Sequence, residues 1–489
     1  MSTEIVSVKK QEVFDLDKKK LLSLIIAFVI MLGLHFAPEL PGLSSQGQSV
    51  LAVFLWFMIV MISGSLHRFV VGFAAPLFIT ILTDFKVAEA FSAFTGKAFF
   101  LAIGAFVYAG IMVATPLGKR IAIGITDLFR SIRVPRILLG LCVADFCISG
   151  FLPTVAETGL LLPLAKGFSG LTRGKEHLPE VKRINNGLFL LVCGLMPLFT
   201  SLLILTAHFP NILMAGFMEK AGITITWMDW LKLNLPLWGL MPVAYFYTIW
   251  YFKLWKVEIP GANEELPRMK KELGKITWPE KWALMSLGIC LFLWITEKSL
   301  HNINTGMVAI LLVFLVFLPF GKIKFETIAP HIMWDVWILL GGAISLGTAL
   351  YKSGAVKWMV DLILSPMESK IIGLPPILIL LIVVIGTQIA RAGIVSAAAM
   401  GAMFIPLTMA MAPELGFNVL PFTLIVVNCL SYSFFLPMSI TAFFIAWGAS
   451  DMSMGEVIKF GTPLSIICNL YVIISLSIWL PIIGYPLTI

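Results

Sequence analysis

The sequence predicts an all-α polytopic membrane protein. Of its 489 residues, 59% are hydrophobic and 13% are charged, and the mean hydropathy of +0.96 is too high for a soluble protein. Apolar segments that can span a bilayer with their flanks recur along the chain, and we count about ten to twelve of them. The clearest are 21–35, 50–62, 69–82, 99–114, 188–205, 235–251, 282–295, 307–318, 337–350, 375–384, 421–444 and 463–483.

The basic residues lie in loops beside these segments. They give the chain a net charge of +8 and cluster within 18–20, 119–136 and 166–183. Because positively charged loops stay on the cytoplasmic side, we expect a cytoplasmic N-terminus and a location in the plasma (inner) membrane. The charged stretch 253–281 is predicted to be a cytoplasmic linker. Nothing in this charge pattern indicates a nucleic-acid partner.

The sequence also argues against several other protein classes. The six cysteines fall in apolar segments, without the spacing of a metal site or of a disulfide framework. There is no Walker motif, no dinucleotide fingerprint and no His-Glu-x-x-His motif. We therefore expect no cofactor, and an ATP-driven pump is not expected because the chain has no room for a nucleotide-binding domain.

Two polar interruptions break the apolar pattern, roughly half a chain apart. The first, 151–163, places Glu157 and a Pro-Thr pair inside an apolar run, and the second, 388–396, contains Arg391. Irregular backbone at membrane depth is tolerated only where protein covers it or where it lines a watery cavity, and an ionisable residue there is costly. Paired interruptions in corresponding halves are typical of secondary transporters.

Short internal similarities support an organisation in two halves. Residues 103–119 resemble 341–357, and residues 230–237 resemble 457–464 in the same order. We therefore predict an inverted-repeat transporter with pseudo-two-fold symmetry and a binding site near the membrane midplane.

Several motifs resemble those of one transporter family. They are 341–357, the Leu-Leu-Pro163 and Phe-Ile-Pro406 endings, 209–216, 222–231 and 436–448. On these motifs the chain resembles the divalent anion/sodium symporter family of the ion transporter superfamily. The resemblance implies a homodimer in which a mobile transport domain moves against a scaffold domain by an elevator-type mechanism. It also implies two re-entrant hairpins and two broken helices that hold a dicarboxylate or related anion, usually with sodium.

The resemblance also implies domain boundaries. Scaffold helices are expected in 1–96 and 282–332, the two repeats in 97–252 and 333–489, and the linker in 253–281. The hairpins are expected near 135–163 and 375–406, and the broken helices near 206–216 and 436–448.

In the family, a Ser-Asn-Thr triplet lies at the tip of each hairpin. The corresponding residues here are Pro153-Thr154-Val155 and Ser396-Ala397-Ala398, so both asparagines are absent. The resemblance assigns substrate binding to Thr154, Val155, Ser396 and Ala397, and it implies a sodium site near Thr154 and Ser396.

The helix breaks supply the remaining predicted substrate contacts. The first break keeps the Pro-Asn pair ending in Asn211, and the second contains Thr441 where the family prefers Pro-Pro-Asn. Asn211 either offers its amide to the substrate or satisfies freed backbone groups. The hydroxyls of Thr441 and Ser439 likewise either bind the substrate or satisfy freed backbone groups.

Arg391 is the predicted anchor for the anion. In a low-dielectric cavity, a guanidinium offers a planar pair of donors that suits a carboxylate or sulfonate. Helix N-termini at the hairpins add partial positive charge at the same place. The alternative is that Arg391 lies at a helix end and extends to the membrane interface.

Polar residues of the first half are candidates for ion coupling. Four alternative roles are open to Glu157: it pairs with Arg391, carries a coupling proton, binds a cation or contacts the substrate. Thr158 and Asp145 are further candidates, and capping or pairing is the alternative for Asp145. His208 is either a titrating group or a structural histidine.

Together these observations predict a secondary-active transporter of organic anions of the di- or tricarboxylate class. It is coupled to Na⁺ or H⁺, or it works by anion exchange. The alternative substrates are sulfonates and inorganic oxyanions such as sulfate. A channel or a membrane enzyme is disfavoured, since a charged pore ring and a convergent catalytic group are both missing. The expected partners are the anionic substrate, the lipid bilayer and a second copy of the chain.

Overall fold

The computed structural model describes residues 17–150, 152–174, 178–367, 373–391, 394 and 396–489. In this part of the chain α-helices follow one another without a β-sheet. The helices of the first 251 residues are α1 (Lys18–Phe36), α2 (Ser45–Ser63), α3 (Arg68–Leu82), α4 (Val87–Ala90), α5 (Lys97–Ala114), α6 (Leu117–Asp127), α7 (Val134–Ser149), α8 (Thr154–Gly170), α9 (Pro179–Ser201, with a π-helical segment at Leu188–Leu195), α10 (Phe209–Lys220), α11 (Trp227–Leu233) and α12 (Leu240–Tyr251). The helices that follow are α13 (Ala262–Leu273), α14 (Trp278–Thr296), α15 (Thr305–Val316), α16 (Phe325–Ile328), α17 (Trp334–Lys352), α18 (Ala355–Leu364), α19 (Pro376–Arg391), α20 (Ala397–Glu414), α21 (Val419–Ser431), α22 (Thr441–Ala449) and α23 (Met454–Ile482).

Many of these helices suit a lipid environment. Among the described residues, seven helices are long and apolar enough to cross a membrane: α1, α2, α5, α9, α17, α20 and α23. The shorter helices α3, α15, α19 and α21 are also apolar. Helix α1 buries only 11% of its apolar window inside the protein, as expected for a helix that faces lipid. These helices confirm the predicted all-α membrane class.

Both halves of the chain follow the same order of elements. A long helix (α5 or α17) is followed by a short one (α6 or α18) and by a helix pair with an interruption (α7–α8 or α19–α20). A second interrupted pair comes next (α9–α10 or α21–α22). In the first pair, α7 ends at Ser149 and α8 begins at Thr154; in the second, α19 ends at Arg391 and α20 begins at Ala397. Residues 151, 392, 393 and 395, between these ends, lie outside the described residues.

Prolines fix the points at which the interrupted helices resume. Helix α8 begins directly after Pro153, and α10 carries Pro210 in its first turn. Proline is favoured there because the N–H that it lacks would have no intrahelical partner anyway. The interruptions of the broken helices therefore lie at 202–208 and 432–440, and most of each predicted interval is already helical.

Close contacts at glycines join helices of the two halves. Helix α17 packs along α3, and a Cβ on Gly342 would lie 2.1 Å from the carbonyl oxygen of Gly72. Helix α15 packs along α5, where a Cβ on Gly104 would lie 2.6 Å from the Cβ of Ala309. Small residues allow such close backbone approach in membrane proteins. We call these four helices, α3, α5, α15 and α17, the framework.

The stretch predicted to be a linker is folded against the first half. It contains α13, and Arg120 of α6 donates hydrogen bonds to the main-chain oxygens of Leu273 (3.1 Å) and Gly274 (2.8 Å). The same guanidinium forms a 3.0 Å ion pair with Glu280, which is almost fully buried. Residues 253–281 are thus an ordered connection that is anchored by Arg120.

Candidate functional site

A cavity lies where the interrupted helices of the two halves meet. Its empty volume is about 410 Å³. The residues that line it are Thr154, Val155, Leu198, His208, Arg391, Ala397, Met400, Ser431, Ile440, Thr441 and Ala442. The structure therefore brings together five of the predicted substrate contacts, which lie far apart in sequence: Thr154, Val155, Arg391, Ala397 and Thr441.

The four helices that resume after an interruption all start at this cavity. Thr154, Ala397 and Thr441 are the first residues of α8, α20 and α22, and His208 is the N-cap of α10. The N-terminus of a helix carries a partial positive charge and N–H groups that have no intrahelical partner. Four such termini around one cavity make it suited to an anion.

Arg391 supplies the full positive charge of this site. Its side chain is buried with 2% exposed, so it does not reach the membrane interface. Nη2 donates a 2.5 Å hydrogen bond to the main-chain oxygen of Ser439, whereas Nε and Nη1 have no hydrogen-bond partner among the described residues. Arg391 forms no ion pair with Glu157. The guanidinium therefore keeps two donors and its charge for a ligand.

Hydroxyl and imidazole groups form a polar edge beside the guanidinium. The Thr154 Oγ1 lies 3.1 Å from the Ser201 Oγ and 3.2 Å from the His208 Nδ1. His208 is buried, lies in the field of Arg391 and has an extended backbone, since it precedes α10. Thr154 thus connects the first hairpin to the first helix break at the wall of the cavity.

Asn211 lies behind the cavity rather than in its wall. Its amide donates to the main-chain oxygens of Ser201 (3.0 Å), Leu202 (3.3 Å) and Ile204 (3.0 Å). These carbonyls lose their helical partners where α9 ends. Of its two predicted roles, the geometry favours the satisfaction of freed backbone.

Two other predicted residues, Ser396 and Thr158, contact backbone rather than the cavity, and a third, Ser439, has no side-chain partner among the described residues. Ser396 is the N-cap of α20, and its Oγ accepts a hydrogen bond from the Ala399 N–H at 3.3 Å. The hydroxyl of Thr158 donates to the main-chain oxygens of Thr154 and Cys193. The Oγ of Ser439 is buried without a hydrogen-bond partner among the described residues. The main-chain oxygen of Ser439 accepts the hydrogen bond from Arg391.

Asp145 and Glu157 form a second buried polar cluster, separate from the cavity wall. Both are fully buried, and they lie on the helices α7 and α8, which pack against each other. The Thr200 hydroxyl donates to the Asp145 Oδ2 at 2.9 Å. Sequence reasoning identified both carboxylates but not Thr200 or Ser201, which lie unremarkably in an apolar run before the break. Among the described residues, no group of three or more His, Cys, Asp or Glu side chains is placed to hold a metal ion.

Comparisons with known proteins agree with this architecture. The chain is 26% identical over 471 residues to a membrane protein of Cupriavidus necator, covering 91% of this chain and 89% of that protein. It is 24% identical over 496 residues to the sodium-dependent dicarboxylate transporter SdcS of Staphylococcus saprophyticus, covering 95% and 91%. In structure it is similar to the YdaH transporter of Alcanivorax borkumensis, with a TM-score of 0.48, 14% identity, and coverage of 81% of this chain and 88% of that one.

A family profile described as the sodium:sulfate symporter transmembrane region matches residues 18–485. The match spans almost the whole chain, and it confirms the family that the motifs indicated. The protein is accordingly a membrane transport protein and not an enzyme. The chain belongs to the sodium:sulfate symporter family, the family of divalent anion/sodium symporters.

Proposed function

We propose that the protein is a secondary-active transporter that binds a small organic anion, in the first instance a dicarboxylate, in the cavity at Arg391. The buried guanidinium carries this proposal, because two of its nitrogen atoms, Nε and Nη1, have no hydrogen-bond partner among the described residues. Burying a cation without a counter-ion is costly. A carboxylate supplies the missing negative charge and acceptor oxygens for these N–H groups.

The helix starts around the cavity support a second negative group on the substrate. The N-termini of α8, α20 and α22 lie in the cavity wall together with the hydroxyls of Thr154 and Thr441. These donors bind an anionic group without a further full charge. The Staphylococcus relatives are named sodium-dependent dicarboxylate transporters, which supports both this substrate class and coupling to a cation.

Alternating access is proposed to follow from the contrast between the framework and the interrupted helices. Framework helices contact each other through glycine backbone, so they resist sliding. The interrupted helices carry all the cavity residues and are joined by irregular segments. Movement of the interrupted helices as a unit against the framework would expose the cavity to either side, in an elevator-type mechanism.

Counterflow in proteoliposomes tests the function. Liposomes that contain the purified protein and unlabelled succinate should accumulate labelled succinate, because a carrier shows trans-stimulation and a channel does not. Unlabelled citrate and sulfate as competitors distinguish dicarboxylate from tricarboxylate and inorganic oxyanion substrates. Failure of all three anions to bind or exchange would reject the proposal.

Replacement of Arg391 tests the site. Arg391→Ala should abolish succinate counterflow, and Arg391→Lys should recover only part of it, because an ammonium lacks the bidentate fork. Arg133→Ala is the matched control, since the Arg133 side chain is 73% exposed and only paired with the exposed Glu258. Wild-type counterflow by Arg391→Ala would show that the cavity is not the binding site.

A further inference from the structure

Asp145 of α7 and Glu157 of α8 lie in the two arms of the first hairpin. We call their two carboxyl groups the carboxyl pair. Both side chains are fully buried, and neither lines the anion cavity. The Asp145 Oδ2 accepts one hydrogen bond, from Thr200. The Asp145 Oδ1 and both Glu157 oxygens receive none from the described residues. Three acceptor oxygens are therefore buried without a donor, which is costly for an ionised group.

A proton on one of the two carboxyl groups lowers the cost of burying them. The two carboxyl groups are buried on helices that pack against each other, and no cation pairs with them among the described residues. Two ionised carboxylates accept only, so a hydrogen bond between them requires that one of them carries a proton. Two negative charges close together also repel each other strongly in a low-dielectric interior.

The surroundings contain no basic side chain that forms an ion pair with either acid in the described structure. The titratable groups nearest the carboxyl pair are the buried thiols of Cys142 on α7 and of Cys193 on the π-helical segment, whereas the Cys147 thiol on α7 is exposed. Lys166, further along α8, interacts electrostatically with Cys193. Helix α22, which also packs against α8, carries no titratable residue.

Short connections link the carboxyl pair to the anion cavity. Glu157 lies one helical turn after Thr154, which lines the cavity and starts α8. Thr200, the donor to Asp145, directly precedes Ser201, whose hydroxyl lies 3.1 Å from that of Thr154. Movement of Thr154 on binding or release of an anion therefore reaches both acids. The adjacent π-helical segment, a rare form that is frequent at functional sites, contacts α8 through Thr158 and Cys193.

We propose that Asp145 and Glu157 together hold one proton, which the protein takes up from water on one side of the membrane and releases to water on the other in each transport cycle. This inference rests on the proposed function, since it adds a proton to the anion and the cation of that cycle. The carboxyl pair holds one proton while the protein encloses it. It loses this proton when movement of the hairpin exposes it to water.

Infrared spectroscopy of the full-length protein in liposomes tests the shared proton without any substrate. The wild type should show the C=O stretching band of a buried protonated carboxyl group at neutral pH, and Glu157→Gln should lose it. Thr200→Val removes the hydrogen bond that stabilises the ionised form of Asp145, so this band should persist to higher pH. Glu258→Gln, on the surface, is the control and should retain the band. Absence of the band from the wild type would overturn the proposal.

Uptake of labelled succinate tests the role of this proton in transport. With sodium held equal on both sides, an inward proton gradient should stimulate wild-type uptake, and Glu157→Gln should lose this stimulation while it still exchanges succinate for succinate. Exchange also shows that the variant is folded. An equal response of wild type and Glu157→Gln to the gradient would overturn the proposal. If the wild type transports no succinate, the proposed substrate is wrong, and the infrared result still decides whether the carboxyl pair holds a proton.

Discussion

At the scale of single residues, Asn211 and Arg391 illustrate two ways in which a polar group is accommodated at membrane depth. The Asn211 amide is used entirely within the protein, by three carbonyl groups of the unwound segment. Arg391 instead has two nitrogen atoms, Nε and Nη1, without a hydrogen-bond partner among the described residues, beside a cavity. A group whose bonding is complete stabilises the fold, whereas one whose bonding is incomplete is a candidate for ligand binding.

Asn211→Ala should destabilise the protein more than it changes substrate affinity. It removes the hydrogen bonds from Asn211 to three main-chain oxygens, each of which keeps one other donor, so we expect a cost of about 0.5–1.5 kcal/mol. The measurement is chemical or thermal unfolding of the purified protein in detergent, with the exposed Asn302→Ala as the matched control. Unchanged stability together with loss of succinate binding would instead make Asn211 a direct substrate contact.

At the scale of elements, the irregular segments lie at the cavity, whereas the closely packed helices form the framework. The interruptions at 202–208 and 432–440 lie at the cavity, where resumed helices direct their N-termini toward the site. The framework helices have close backbone contacts at Gly342 and Gly104 instead. The close packing of the framework and the helix ends at the cavity are the features on which the proposed elevator-type movement rests.

Gly342→Ala should weaken the contact between α3 and α17. The new Cβ would lie 2.1 Å from the Gly72 carbonyl oxygen, and because backbone cannot yield as a side chain does, the helices must separate. We expect a loss of about 1–3 kcal/mol in the free energy of unfolding. Gly288→Ala in α14 is the matched control, since nothing lies within 4 Å of its Cβ, and it should be neutral or stabilising. Equal stability of the two variants would show that the helix pair is less tightly packed than the structure indicates.

At the scale of the whole molecule, the cavity proposed to bind the anion is formed by both halves of the chain. Thr154 and His208 belong to the first half, and Arg391 and Thr441 belong to the second. A ligand that bridges them therefore stabilises the assembled protein against unfolding.

Succinate should accordingly raise the thermal unfolding temperature of the purified wild type. A ligand at a hundred times its Kd contributes about 2.7 kcal/mol to the free energy of unfolding. Sodium should increase the effect, since a co-bound cation offsets the second negative charge. Arg391→Ala should abolish the shift, whereas Arg133→Ala should retain it. A shift of equal size in Arg391→Ala would place the bound anion elsewhere.

Much of this organisation follows from composition and local pattern. Apolar segments specify membrane helices because unpaired backbone is costly in lipid, and a proline such as Pro153 specifies where a helix can restart. Motifs such as 341–357 sufficed to identify the family. The exact extent of the breaks did not follow, because the unwound segment 202–208 is held in part by Asn211 of the next helix and by Trp230, which lies further along the chain.

The sequence by itself determined the membrane class, the two-half order, the family and the polar residues that merit attention. The tertiary structure alone decided how those residues are grouped. It placed Arg391 beside Thr154 and His208, but set Glu157 apart with Asp145 and assigned Asn211 to the backbone. The physical reason is that a carboxylate, an amide and a guanidinium each have several possible partners, and which of them is satisfied depends on contacts between segments remote in the chain.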